Sequence, residues 1–282
     1  MKLVLEGGGV RAAYAAGVLD SLAEAGVRFD AVIGSSSGTL NATFWCSGQM
    51  KLACELLSQR LSGSRFINYR RQFTPWGTPG LDVDWLVDEL LPAHLDYERA
   101  VSGQSKLFWT VSDVDQQRAH VVSPTRTSFT PWLRAALALP VGYNRVVTVD
   151  GRRCIDGGVA SPVPFDVAEL AAFPGPAVVV LTRPIQREKP PPVLWERVAV
   201  RLIVPPGARE MSATQHHLHN ALMRRLEIAL ADGDLILVDP PAEMPLSRLT
   251  RDPATIDRGI DMGREVGRRL APRLLEISSR AG

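Results

Sequence analysis

The chain has 282 residues, 45% of them apolar, and a formal charge of only +2. That length buries a core without disulfide or metal staples, and the near-neutral charge gives no electrostatic ground for a nucleic-acid partner. Three cysteines without CxxC spacing (Cys46, Cys54, Cys154), no long apolar run, and an N-terminus meeting Glu6 and glycine too early for a signal peptide together predict a soluble, cytoplasmic protein.

Leu3-Val4-Leu5 predicts a buried strand that breaks at Gly7-Gly8-Gly9. Val10, Tyr14, Val18 and Leu22 recur every fourth residue and predict a helix ending near Gly26. Residues 29–33 read as a second strand, closed by Gly34-Ser35-Ser36-Ser37-Gly38, with a helix holding Leu40, Phe44 and Trp45 behind it. Residues 62–84 mix Gly, Ser, Pro and aromatics (Phe66, Tyr69, Phe73, Trp76) and predict an irregular wall over a cleft, with its aromatics used mainly in packing. Further strands are expected at 107–111, 119–122, 145–149, 153–155, 177–181 and 235–238. Residues 212–230 read as a helix whose His216, His217 and His219 lie on a solvated face. Asp252 as cap and Pro253 in the first turn start a terminal helix. Its stripe runs through Ile256, Ile260, Gly263, Gly267, Leu270, Leu274 and Ile277, with the two glycines permitting close approach to a neighbour. Short apolar runs alternating with longer periodic ones predict an α/β fold. The expected architecture is one three-layer domain over 1–282, its central, mostly parallel sheet flanked by helices.

Three motifs carry chemistry. Gly34-Ser35-Ser36-Ser37-Gly38 fits G-x-S-x-G at a strand-to-helix turn. There small neighbours push the central side chain out at a helix N-terminus, making Ser36 the candidate nucleophile and Gly34 and Gly38 its elbow. Gly7-Gly8-Gly9-Val10-Arg11 places successive amides at another helix N-terminus, a cradle for a phosphate or an oxyanion. No Gly-Lys-Ser/Thr follows, so a P-loop is excluded, and Ala12 stands where the last glycine of G-x-G-x-x-G would fall. Arg11 in the first turn, where the helix dipole disfavours a cation, points to an anionic partner. Asp156-Gly157-Gly158 ends a short strand; alone it reads as a turn, and beside a serine nucleophile Asp156 becomes a base candidate.

Taken in this order, the three motifs resemble those of the patatin-like phospholipases, and the bacterial branch in particular. Ala135-Ala136-Leu137-Ala138-Leu139-Pro140 and Val159-Ala160-Ser161-Pro162-Val163-Pro164 add to the resemblance, which covers residues 1–185. Ala12 and Ala136 depart from the family's usual Gly and Ser. The resemblance implies a patatin-like fold and a Ser36–Asp156 dyad without histidine, forming an acyl-serine with no cofactor or metal. It further implies an oxyanion hole from Gly7, Gly8 and Gly9 with Arg11 beside it, and a phospholipid or lysophospholipid ester as substrate. A Ser–Asp–His esterase using His216, His217 or His219, and a catalytically weak lipid- or acyl-binding scaffold, are the competing readings. The spacing of these histidines fits no metal motif.

Residues 183–210 form a proline-framed segment within a stretch (183–225) of net charge +5, so the remainder of the chain is acidic. Its Val193-Leu194-Trp195 run with interleaved arginines is read as a lid or membrane-facing element for peripheral contact with an anionic surface. Core packing with solvated arginines is the simpler reading of the same stretch, and the sequence leaves the oligomeric state open.

Overall fold

Among the described residues eight strands form one sheet, and its parallel part is built by the apolar runs. The computed structural model describes residues 1–73, 79–185, 191, 193, 200–202, 204–233 and 235–281. Strand β1 (Lys2–Leu5) pairs in parallel with β2 (Ala31–Ser35) on one side and with β7 (Ala177–Val180) on the other. Outward from β2 lies the parallel strand β3 (Lys106–Asp113), and outward from β7 the parallel strand β8 (Leu235–Val238). β4 (Arg118–Val122), β5 (Val147–Val149) and β6 (Arg152–Asp156) complete the far edge with antiparallel pairings. The order is β5-β6-β3-β2-β1-β7-β8, with β4 on β3.

Alternation along the central strands divides the core in two. Leu3, Leu5, Val32, Trp109, Val178 and Val180 turn to one face, and Val4, Ile33, Phe108 and Val179 to the other. The first face is covered by α1 (Ala12–Glu24), α2 (Ser37–Cys46), α3 (Met50–Gln59), a short α4 (Val83–Trp85) continued by a π-turn, and α5 (Tyr97–Ser102). On the same face lie α6 (Phe129–Ala136) and the terminal α9 (Pro253–Ala281). The second face is covered by α7 (Ala168–Ala171) and α8 (Arg209–Ala231). This is the expected three-layer α/β arrangement, because strands buried on both faces need helices on both.

Helix α9 begins at Pro253 as expected, with the Asp252 carboxylate accepting the Thr255 amide at 2.9 Å. Its glycines do bring it close to α1: a Cβ at Gly263 would lie 2.1 Å from the Tyr14 carbonyl oxygen, and one at Gly17 2.0 Å from that of Ile260. The second strand sits two residues later than the 29–33 expected. Its pairing with β3 runs on to Ser35 opposite Thr110, while Asp30 is taken up by the N-terminal ammonium at 2.6 Å. Of the proline-framed segment, only 183–185, 191, 193, 200–202 and 204–210 are among the described residues, so Leu194 and Trp195 lie outside them.

Candidate active site

Strand β2 ends at Ser35 and helix α2 starts at Ser37, so Ser36 alone makes the turn. Its backbone sits at φ 52°, ψ −128°, a region that costs a non-glycine residue about 1–3 kcal/mol. Packing holds it there. A Cβ at Gly34 would lie 2.3 Å from the Gly38 carbonyl oxygen, and one at Gly38 would lie 2.5 Å from that of Leu5. Both elbow glycines are therefore demanded by contact between backbones, which brings β1 against the start of α2.

Asp156 reaches Ser36 through the sheet register. Across β3, Ser35 stands opposite Thr110 and Asp156 opposite Val111, which sets two motifs far apart in sequence at one height. The Ser36 hydroxyl donates to Asp156 Oδ2 at 2.7 Å, and the Gly158 amide donates to Oδ1 at 2.7 Å. A Cβ at Gly157 would lie 2.2 Å from the Thr110 carbonyl oxygen, so glycine is required for this turn to sit against β3. Asp156 is only 2% exposed, and burial pushes its carboxyl up to about 6 against the opposing pull of the Ser36 and Gly158 hydrogen bonds and of Arg248. A carboxyl so placed is a stronger base towards a hydroxyl than an exposed one.

The glycine-rich segment faces the same point, and its three amides differ. Gly7 donates to the Pro162 carbonyl at 3.1 Å, and a Cβ on it would stand 2.7 Å from the Ser36 Cβ. The Gly8 amide donates to Ser37 Oγ at 2.9 Å. Gly9 is exposed, at φ +60°, where a side chain would be strained. Arg11 is absent from the residues lining the cleft; its Nε donates to the Gly8 carbonyl at 3.3 Å, which fixes the peptide carrying the Gly9 amide. It thus acts on the segment through the backbone.

Around these groups lies a cavity of about 430 Å³, within the range of small-molecule sites. Leu40, Leu57, Leu61, Phe66, Ile67, Tyr69, Leu137 and Leu139 give it a long apolar wall. Phe66 and Tyr69 belong to the irregular 62–84 segment, so these two aromatics face the cleft and not only the core; the side chains of Phe73 and Trp76 lie outside the described residues. The polar end holds Glu6, Arg183, Gln215, His219 and Arg248. Glu6 is 3% exposed and accepts from the Thr182 amide at 2.6 Å and the Thr182 hydroxyl at 2.9 Å, with Arg183 Nε at 3.4 Å. His219 is buried beside Arg183, its Nδ1 3.1 Å from Nη2, which corrects the solvated face expected for it. Of the other two, His216 is half-buried and His217 exposed. Among the described residues no group of three or more His, Cys, Asp and Glu has metal-site geometry, and no helix is long and apolar enough to cross a membrane.

A family profile described as patatin-like phospholipase matches residues 3–169, which include all three motifs. The chain belongs to the patatin-like phospholipase family. Membership supports lipid acyl hydrolysis in general. The uncharacterized protein YjjU of Escherichia coli (strain K12) is 28% identical over 188 residues, covering 65% of this chain and 51% of that one. The uncharacterized protein YqhO of Bacillus subtilis (strain 168) is 35% identical over 72 residues, 26% of this chain and 25% of that one. The matched stretch thus spans about half the length of the first relative.

Ser36, Asp156 and the glycine-rich segment of this patatin-like chain lie together at one cleft. Glu6, Gln215 and Arg248 line it too, and the sequence singled out none of them as site residues. Glu6 carried a signal, a charge closing an otherwise apolar strand just before the glycines. Arg248 carried none, since it sits in a loop without motif and reaches the site only through the fold.

Proposed function

We propose that this protein is a lipid acyl hydrolase cleaving carboxylic esters of phospholipid or lysophospholipid type through an acyl-serine on the Ser36–Asp156 dyad. The observation that carries the reading is the 2.7 Å hydrogen bond from the Ser36 hydroxyl to a buried carboxylate. As Ser36 Oγ attacks the ester carbonyl, Asp156 takes its proton. The tetrahedral oxyanion is met by the Gly9 amide and by the Gly8 amide, released from Ser37 Oγ. Collapse expels the alcohol, which takes the proton from Asp156 and leaves the acyl-serine. Water then attacks, gives its proton to Asp156, and the proton returns to Ser36 as the fatty acid departs. Arg11 holds the Gly8 carbonyl throughout, and no step calls for a cofactor or metal.

A Ser–Asp–His mechanism needs an imidazole between serine and aspartate, and the direct hydrogen bond occupies that place. A binding scaffold would have no use for a strained serine on a desolvated carboxylate. A fluorophosphonate probe tests the reading: it labels Ser36 of the wild type and leaves Ser36→Ala unmodified. Absence of any label would favour the scaffold.

We also propose that residues 1–282 work as one unit, with the 183–210 segment, whose Arg183, Val200 and Val204 line the cleft, as the element that meets an anionic membrane surface peripherally. Val200 and Val204 line the cavity, Leu202 between them is 77% exposed, and the cavity-lining Leu249 is 52% exposed. These exposed apolar groups sit where a lipid would enter. The protein acts from the aqueous, cytoplasmic side in this reading, with no nucleic-acid partner.

A further inference from the structure

The cleft is cationic at its polar end, and the catalytic reading does not use that charge. Arg183 and Arg248 line it together with Ser36 and Asp156, and both lie beyond the residues 3–169 that the family profile matches. Arg248 is fixed by its own backbone: its carbonyl accepts the Val10 amide at 3.2 Å, and a Cβ at Gly9 would lie 2.8 Å from that oxygen. The loop carrying Arg248 therefore rests directly on the oxyanion segment. Arg248 itself is exposed at the cleft, and Arg183, Glu6, Asp156 and Tyr69 act on its guanidinium.

Among the described residues, Arg11, Arg183 and Arg248 act on one another, and Glu6 beside them is already held by Thr182 and Arg183. Arg11 Nη2 is buried without a hydrogen-bond partner. Guanidinium groups brought close together repel one another unless an anion joins them. An arginine fork matches phosphate oxygens in geometry as well as charge. Among the described residues the acids lining the cleft are Glu6 and Asp156, and both are engaged, so neither is left to meet a headgroup ammonium.

We propose that Arg248, supported by Arg183, forms an anion subsite that selects acyl esters carrying a terminal phosphate, of the 1-acylglycerol 3-phosphate kind, over neutral and zwitterionic esters. The substrate class rests on the hydrolase reading above; the subsite itself does not. The acyl chain lies along the apolar wall by Phe66 and Leu139, the ester carbonyl at Ser36, and the phosphate at Arg248.

Isothermal calorimetry with ether analogues, which cannot be hydrolysed, tests the subsite apart from catalysis. Wild type should bind 1-O-octylglycerol 3-phosphate roughly 10–100-fold more tightly than 1-O-octylglycerol. Arg248→Gln should erase most of that preference, and Arg248→Lys should retain part of it; a thermal melt checks both folds. Should Arg248→Gln melt early, a preference unmoved in Arg248→Lys overturns the proposal. So does equal wild-type affinity for the two ethers, or displacement of the ether phosphate by an equal concentration of inorganic phosphate, which assigns a free-ion site. With acyl substrates, kcat/KM of Arg248→Gln should fall at least about tenfold more for the phosphate ester than for the monoacylglycerol. A wild type that hydrolyses neither ester yet keeps the ether preference refutes the hydrolase reading and leaves the subsite standing.

Discussion

Asp156 accepts two hydrogen bonds of 2.7 Å, which favour its charged form, yet burial outweighs them and raises its carboxyl from 3.8 to about 6. A base must be ionised, so kcat/KM of the free enzyme should rise with pH through a midpoint near 6 and level off above 7. A pH profile on a soluble ester with non-titrating groups measures it. The same titration acts on stability. Between about 4 and 6 the folded protein binds a proton that the unfolded chain has released, so stability falls as pH rises through that window. Asp156→Asn lifts this penalty, of about 3 kcal/mol at most, and should raise Tm by several degrees at pH 7 while leaving it little changed at pH 4. A lower Tm at pH 7 would show that the hydrogen bonds outweigh desolvation. Ser36 and Asp156 were legible because each stands among glycines that a tight turn requires. Arg248 was not, because its role depends on a backbone contact with Val10 that no local pattern encodes.

At the scale of elements, the elbow and the α1–α9 contact both rest on glycines where backbones meet. Gly263→Ala would set a Cβ 2.1 Å from the Tyr14 carbonyl oxygen and force the helices apart. Overpacking of this kind costs typically about 1–3 kcal/mol, read as a lower urea midpoint at unchanged m; an unmoved midpoint would mean that the helices separate freely. The glycines at 263 and 267 stood out within a helical stripe, so their close approach was readable. Their partner Gly17 was hidden, since the α1 pattern is rich in alanine and one more small residue drew no attention. The strand limits slipped for a similar reason: β2 extends through Gly34, paired with Leu5 and Trp109, and Ser35, opposite Thr110. His219 was misjudged because the run of histidines reads as polar, while the fold buries it beside Arg183.

For the whole molecule, the chain order brings the proposed catalytic groups from its first 156 residues and the arginines of the cleft from residues 183 and 248. Fold class and layer number were readable throughout, since alternating apolar strands and periodic helices repeat along the chain. Which of the later residues, such as Gln215 and Arg248, line the cleft was not, because that depends on tertiary contacts between loops. The exposed Leu202 and Leu249 beside a cleft with Arg183 and Arg248 fit an approach to anionic lipid. Co-sedimentation with vesicles should increase with anionic lipid, decrease with salt and weaken in Leu202→Asp; indifference to all three removes the membrane element from the account. The central claim is that Asp156 alone activates Ser36, and the rate of fluorophosphonate labelling at Ser36, followed by mass spectrometry, tests it most directly. Labelling should slow by on the order of 10²–10⁴-fold in Asp156→Asn and far less in His219→Ala. A collapse in His219→Ala equal to that in Asp156→Asn, or a label on any residue other than Ser36, would contradict it.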